Sequence, residues 1–220
     1  MRKYTKKLQR RKVMTNKLTT KQKLAKADPA MLSIVRKYLN RYGITVRKWM
    51  PYNDRRSSFR NVVYQAYFDA HQVSIPVPID RYSFYVCMHE IGHLVCGDRM
   101  HGYNMEYVAE QWALRKCIQY GYYTKAIEHG AKKYVYQAML EDIVFRVMKI
   151  QRIRADVVDW IGASTPKIRR DAIKYARKIL KRRIPKPSVV ALYSGDVVNT
   201  ETAFRALVNV SLNQLYKHNS

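Results

Sequence analysis

The chain has 220 residues, 47% of them hydrophobic, enough to bury a sizeable core. Its 42 lysines and arginines outnumber 16 aspartates and glutamates, for a formal net charge of +26, which argues against a neutral surface and favours a polyanionic partner: DNA, RNA or an anionic membrane face. No apolar run reaches the roughly 18–20 residues of a membrane span, and no apolar segment follows the first basic residues as it would in a secretory signal. Cys87, Cys96 and Cys117 lack metal-ligand spacing and read as buried free thiols of a reducing compartment. The expected location is cytoplasmic, or within a virion or other nucleoprotein.

In chain order, residues 1–27 carry many lysines and arginines and no acid. Their apolar residues are too sparse for a core, so this is read as a basic arm, disordered or loosely helical until it meets a partner. Asp28-Pro29 is a helix start, with Asp as N-cap and Pro at the first helical position. Met31, Ile34, Val35, Tyr38 and Leu39 follow helical spacing, and Gly43 ends the helix. Strands are expected over Ile44 to Met50 and Phe59 to Phe68. Val73 to Ile79 alternates apolar residues but contains Pro76 and Pro78, so it is read as an edge strand or an extended loop. An edge strand there could hold a peptide by strand addition; a plain connector is the other reading.

Asp80 caps a helix running to about Gly97, apolar on nearly every side and therefore central to the core. A second helix is expected from about Asn104 to Gly121. Residues 131–160 read as one long helix, and Ser164-Thr165-Pro166 starts another, to about Arg183. The latter has an apolar stripe over Ile168, Ala172, Ile173, Ala176, Ile179 and Leu180, and a lysine and arginine face opposite. Pro185 to Gly195 reads as a linker before a final helix from Val197 to Tyr216. The pattern is α+β: a small N-terminal sheet, then mostly helices. The expected organisation is the arm at 1–27, a catalytic domain at 28–160 and a C-terminal helical extension at 161–220.

Within the central helix lies His89-Glu90-Ile91-Gly92-His93. On a helix the two histidines are one turn apart on one face and can reach a single metal ion, with Glu90 beside them. A catalytic zinc site needs a third protein ligand. A histidine six residues after His93 is excluded, because that position is Arg99. The next helix offers Glu106-Tyr107-Val108-Ala109-Glu110, whose two glutamates share one face. Glu106 is the expected third ligand to Zn2+. Glu110 is expected to hold one ligating imidazole by its other ring nitrogen. Without the upstream motif, these two would read as surface glutamates. Glu110 itself, or His101 in the connecting loop, is the alternative third ligand.

His89-Glu90-Ile91-Gly92-His93 followed by Glu106-x-x-Ala109-Glu110-x-Trp112-Ala113 resembles the gluzincin metallopeptidases, and is most similar to the ImmA/IrrE-like zinc peptidases of phages and mobile elements. The resemblance covers about residues 73–121. It implies a zincin-like fold, His89, His93 and Glu106 as zinc ligands, and Glu90 as the catalytic base. Val108 and Glu110 depart from that family's second motif, which tends to carry Glu and Asn there. The implied chemistry is hydrolysis of a peptide bond by metal-activated water. His101, Tyr103, Tyr107 and His129 are the candidates to stabilise the oxyanion.

The basic segments at 1–27 and 167–186 suit phosphate neutralisation without base readout. Two other readings stand beside a nucleic-acid-associated peptidase. One is a zincin-fold structural component of a nucleoprotein or virion with little or no turnover. The other is a Spartan-like protease for DNA–protein crosslinks, with His101 as third ligand.

Overall fold

The computed structural model describes residues 19–51, 64–96, 102–145, 148–181 and 208–215. A short helix α1 (Thr20–Leu24) and a longer α2 (Pro29–Arg41) lead into strands β1 (Thr45–Met50), β2 (Gln65–Tyr67) and β3 (Gln72–Pro76). Helices α3 (Arg81–Cys96), α4 (Tyr103–Gln119), α5 (Lys125–Phe145), α6 (Ala155–Ile161) and α7 (Thr165–Lys181) follow. A single 3-10 turn (Ile150–Arg152) separates α5 from α6, and residues 208–215 form a last helix, α8. The result is a mostly helical α+β arrangement with one small open sheet ahead of the main helices. Among the described residues, no helix is long and apolar enough to cross a membrane.

Local chemistry sets the element ends. The Asp28 side chain accepts from the Met31 amide at 2.9 Å, and Pro29 fills the first helical turn, where its missing N–H costs nothing. One face of α2 then buries Met31, Val35, Tyr38 and Leu39. Gly43 takes φ +63, a left-handed conformation that a β-carbon would disfavour, and turns the chain into β1.

The sheet order is β1-β3-β2, with β3 parallel to β1 and antiparallel to β2. This corrects the expectation that Val73 to Ile79 forms an edge: β3 is the central strand. The prolines allow it because Pro76 is the last residue of the strand, while Val73 to Ile75 supply the ladder. Pro78 lies beyond the strand, and its carbonyl accepts from the Asp28 amide at 2.9 Å. Among the described residues the edges are β1 and β2. Of the strand expected over Phe59 to Phe68, residues 65–67 are extended and paired, and 59–63 lie outside the described residues.

Two further expectations are revised. The basic segment 1–27 is not all without a place in the fold: Thr19 makes a capping box with Gln22, α1 packs on β1, and the Lys23 ammonium donates to the Trp49 carbonyl at 3.3 Å. Residues 1–18 lie outside the described residues. The single helix expected over 131–160 is instead α5, the 3-10 turn and α6. Apolar spacing continues through the break because both pieces bury into one core, Val135, Met139 and Ile143 from α5 and Val157 from α6. The Pro185 to Gly195 linker and the basic residues expected over 182–186 also lie outside the described residues.

The first core gathers α2, the sheet, α3 and α4 around Val35, Val73, Ile75, Phe84, Met88 and Ile91. Each such side chain, removed from water, contributes about 1.5–3 kcal/mol before chain entropy is counted. The second core joins Tyr103 of α4 to α5, α6, α7 and Leu215 of α8. Ile168, Ala172 and Ala176 are the buried stripe of α7, while Lys167, Arg170, Lys174 and Lys178 are exposed.

Candidate metal centre

The site is built where α3 crosses α4. Asp80 and Ser83 lock the start of α3: the Ser83 amide donates to Asp80 Oδ1 at 2.7 Å, and the Ile79 and Asp80 amides donate to Ser83 Oγ at 2.9 Å. Tyr85, His89 and His93 then fall at successive turns on one side of a helix buried almost all round. Gly92 lets α4 come close: a β-carbon there would lie 3.1 Å from the Ala109 carbonyl oxygen and 3.3 Å from its Cα. Glu106 and Glu110, one turn apart on α4, flank that contact and face the histidines. The start of α4 is fixed from a third helix, because the Tyr103 amide donates to the buried Asp142 carboxylate of α5 at 2.7 Å.

Three ligand atoms converge. His89 Nε2 and His93 Nε2 are 3.0 Å apart, and Glu106 Oε2 lies 3.4 Å from the first and 3.3 Å from the second. Ligand atoms about 2.0–2.1 Å from a tetrahedral zinc ion are separated by about 3.3 Å, so this triangle has the dimensions of one face of such a site. Glu106 Oε2 is buried and has no hydrogen-bond partner, although both imidazoles are at ion-pair distance. A buried carboxylate oxygen left so is costly unless a cation meets it. Two imidazoles and one carboxylate form a donor set that a divalent transition-metal ion accepts. His89, His93 and Glu106 thus form a buried cluster that could hold a metal ion.

The surroundings favour positive charge. Glu106 and Glu110 lie at ion-pair distance from the imidazoles, and no lysine or arginine among the described residues pairs with them, in a chain otherwise dominated by basic side chains. Burial pushes the Glu106 carboxyl toward its neutral form, but the two histidines beside it outweigh burial and hold its pKa well below the usual carboxylate range. Burial likewise pulls the His89 pKa down, and Glu110 and Glu106 reverse that, leaving it well above the ordinary imidazole value. Glu90 is raised by burial, with His89 and His93 opposing.

Glu110 lies behind the cluster. Its Oε1 is 3.3 Å from His89 Nδ1, an ion-pair distance without the alignment of a hydrogen bond. Its Oε2 accepts a 2.5 Å hydrogen bond from the Tyr85 hydroxyl. On the solvent side, the half-exposed Tyr134 of α5 sets its ring edge-on to His89, with centroids 5.6 Å apart.

The structure brings His89, His93 and Glu106 together in one cluster and sets Glu110 beside His89, while Glu90 is buried on the same helix. His101, the alternative ligand, lies outside the described residues. Two oxyanion candidates are engaged elsewhere: Tyr103 is 1% exposed in the second core with its hydroxyl accepting from the Arg154 amide at 3.2 Å, and Tyr107 packs on Trp160 under the Arg154 guanidinium. His129 is exposed on α5. Sequence reasoning missed Tyr85, Tyr134 and Asp142. Tyr85 could have been found by extending the His89–His93 face one turn back; Tyr134 and Asp142 arrive from a distant helix and carry no local signal. No family model, no curated protein and no solved structure matches the chain.

Proposed function

We propose that this protein is a zinc-dependent metallopeptidase of the gluzincin type, resembling the ImmA/IrrE-like enzymes and acting beside nucleic acid in a cytoplasmic or virion-associated nucleoprotein. The observation that carries the reading is the His89, His93 and Glu106 triangle, with ligand atoms 3.0–3.4 Å apart and Glu90 next in sequence to His89. In this reading the three side chains would hold zinc, which would supply Lewis acidity and lower the pKa of a water near neutral pH. Glu90, whose pKa burial raises against the opposing histidines, would take a proton from the attacking water and return it to the leaving amine nitrogen. Glu110 orients His89. The apolar shell of Met88, Ile91 and Trp112 limits water behind the site.

We place the catalytic unit within residues 28–160, with 161–220 as a basic extension. Support for the polyanion partner comes from α7, where Lys167, Arg170, Lys174 and Lys178 recur at helical spacing on the exposed side while Ile168, Ala172 and Ala176 are buried. Such a face neutralises phosphates without reading bases.

Metal analysis of the purified chain and cleavage of a protein substrate together test the assignment. Wild type should carry zinc, Glu106→Ala should lose it, and Glu90→Gln should keep zinc while losing cleavage. Equal cleavage by wild type and Glu90→Gln refutes the enzymatic role. Zinc bound without cleavage by wild type would favour a structural nucleoprotein component instead. Zinc retained by Glu106→Ala and lost by His101→Ala would favour the Spartan-like arrangement.

A further inference from the structure

We infer that Tyr85 is a positioning residue for the metal centre, acting through Glu110 on His89. The inference rests on the zinc site proposed above and concerns a residue that ligates nothing. Tyr85, His89 and Glu110 form one line across the α3–α4 contact: the phenol donates to Glu110 Oε2 at 2.5 Å, and Glu110 Oε1 faces His89 Nδ1 at 3.3 Å. His89 Nε2 points the opposite way, into the ligand triangle.

A glutamate has three rotatable bonds, and Glu110 is 1% exposed, so no water shell steadies it. Among the described residues its carboxylate has one strong donor, Tyr85, and one partner it must reach, the imidazole. With Oε2 pinned, Oε1 keeps its place beside Nδ1. The phenol suits this task, since it is rigid, buried in the first core and braced by Tyr82 with ring centroids 5.5 Å apart. Burial first, and then the neighbouring Glu110 carboxylate, push the Tyr85 pKa far up, so the hydroxyl stays a donor throughout the working range. The His89 Nδ1 contact still lacks hydrogen-bond alignment. Turning the ring a little to complete ligation would therefore act against a carboxylate already held in place. Partners of this kind fix ring orientation and tautomer, and their loss commonly costs about 10–100-fold in metal affinity.

The test is zinc affinity of the full-length protein by competition with a chromogenic chelator, for wild type, Tyr85→Phe, Glu110→Gln and the double variant. The cobalt-substituted absorption spectrum is recorded for each. Tyr85→Phe keeps the ring and removes only the hydroxyl. It should bind zinc about tenfold or more weakly and shift the cobalt bands. The double variant should bind no more weakly than Glu110→Gln alone, because both substitutions cut the same chain of contacts. A purely packing role would leave the cobalt bands unmoved and give additive losses, and either result overturns the inference. Should Tyr85→Phe not fold, a ring-fluorinated tyrosine at position 85 keeps shape and hydroxyl while changing donor strength; unchanged zinc affinity there overturns it equally. Wild type that binds no zinc refutes the metal centre and this inference with it. Wild type that binds zinc no more tightly than Tyr85→Phe refutes the inference alone.

Discussion

Gly92→Ala probes the contact on which the whole site depends. The added β-carbon would meet the Ala109 carbonyl oxygen at 3.1 Å, where ordinary contact begins at 3.4 Å, so the helices must part by a few tenths of an ångström. The obstacle is the backbone of α4, which no rotamer change can move aside. Overpacking of this kind costs about 1–3 kcal/mol. Replacing a mid-helix glycine by alanine returns up to about 1 kcal/mol through backbone entropy. The net expectation is a loss of about 1 kcal/mol, or roughly 2–4 °C in Tm for a chain of this size. The same displacement moves Glu106 away from the histidines by more than the roughly 0.2 Å that a metal site tolerates. Zinc affinity should then fall about fivefold, equivalent to roughly 1 kcal/mol. Thermal unfolding of the metal-free variant gives the first number and chelator competition the second. A variant that gains the full helix-propensity benefit and binds zinc like wild type would show that the α3–α4 approach is not tight, and the reasoning would fail.

Gly102→Ala should be far more damaging, because its β-carbon would fall 1.9 Å from Asp142 Oδ2 at a residue with φ +63; circular dichroism and Tm should register a loss above about 2 kcal/mol. Asp171 accepts from the Tyr136 hydroxyl at 2.6 Å and from the Lys167 ammonium at 3.1 Å, and the first of these does most to depress its pKa. Its stabilisation is therefore present above the ordinary carboxylate range and disappears as pH falls through the lowered folded-state value, below about pH 4. Asp171→Asn should flatten that acid limb by less than about 1 kcal/mol, since solvent screens the pair, and unfolding curves across the acid range check it. Reversing Arg170 and Lys174 to glutamate together should weaken binding to single- or double-stranded nucleic acid and reduce the salt slope by about 1 for each lost phosphate contact. An unchanged slope would remove α7 from the binding surface.

Much of the centre was legible because its parts lie on two consecutive helices. Helical spacing alone places His89 with His93, and Glu106 with Glu110, on shared faces. The α2 start at Asp28-Pro29 was legible for a similar reason, since capping acts over three residues. Strand order was not: Pro76 suggests an edge, but a proline ending a strand leaves the ladder before it intact, and only the pairing of β1 and β2 with Val73 to Ile75 decides the outcome. The break between α5 and α6 was hidden because periodicity reports which side is buried, not whether the axis is continuous. Tyr134 and Asp142 were invisible for want of any local pattern.

The bond from the Tyr103 amide to Asp142 has a bearing on how the molecule opens. Helix ends usually fray first, since their leading amides lack partners. Here the leading amide of α4 is tied to another helix, and the Tyr103 side chain is sunk in the second core. That end can come loose only when α5 lifts away. Hydrogen exchange at Tyr103 should accordingly track the opening of α5, and the turn carrying Glu106 should stay as protected as the core beneath it.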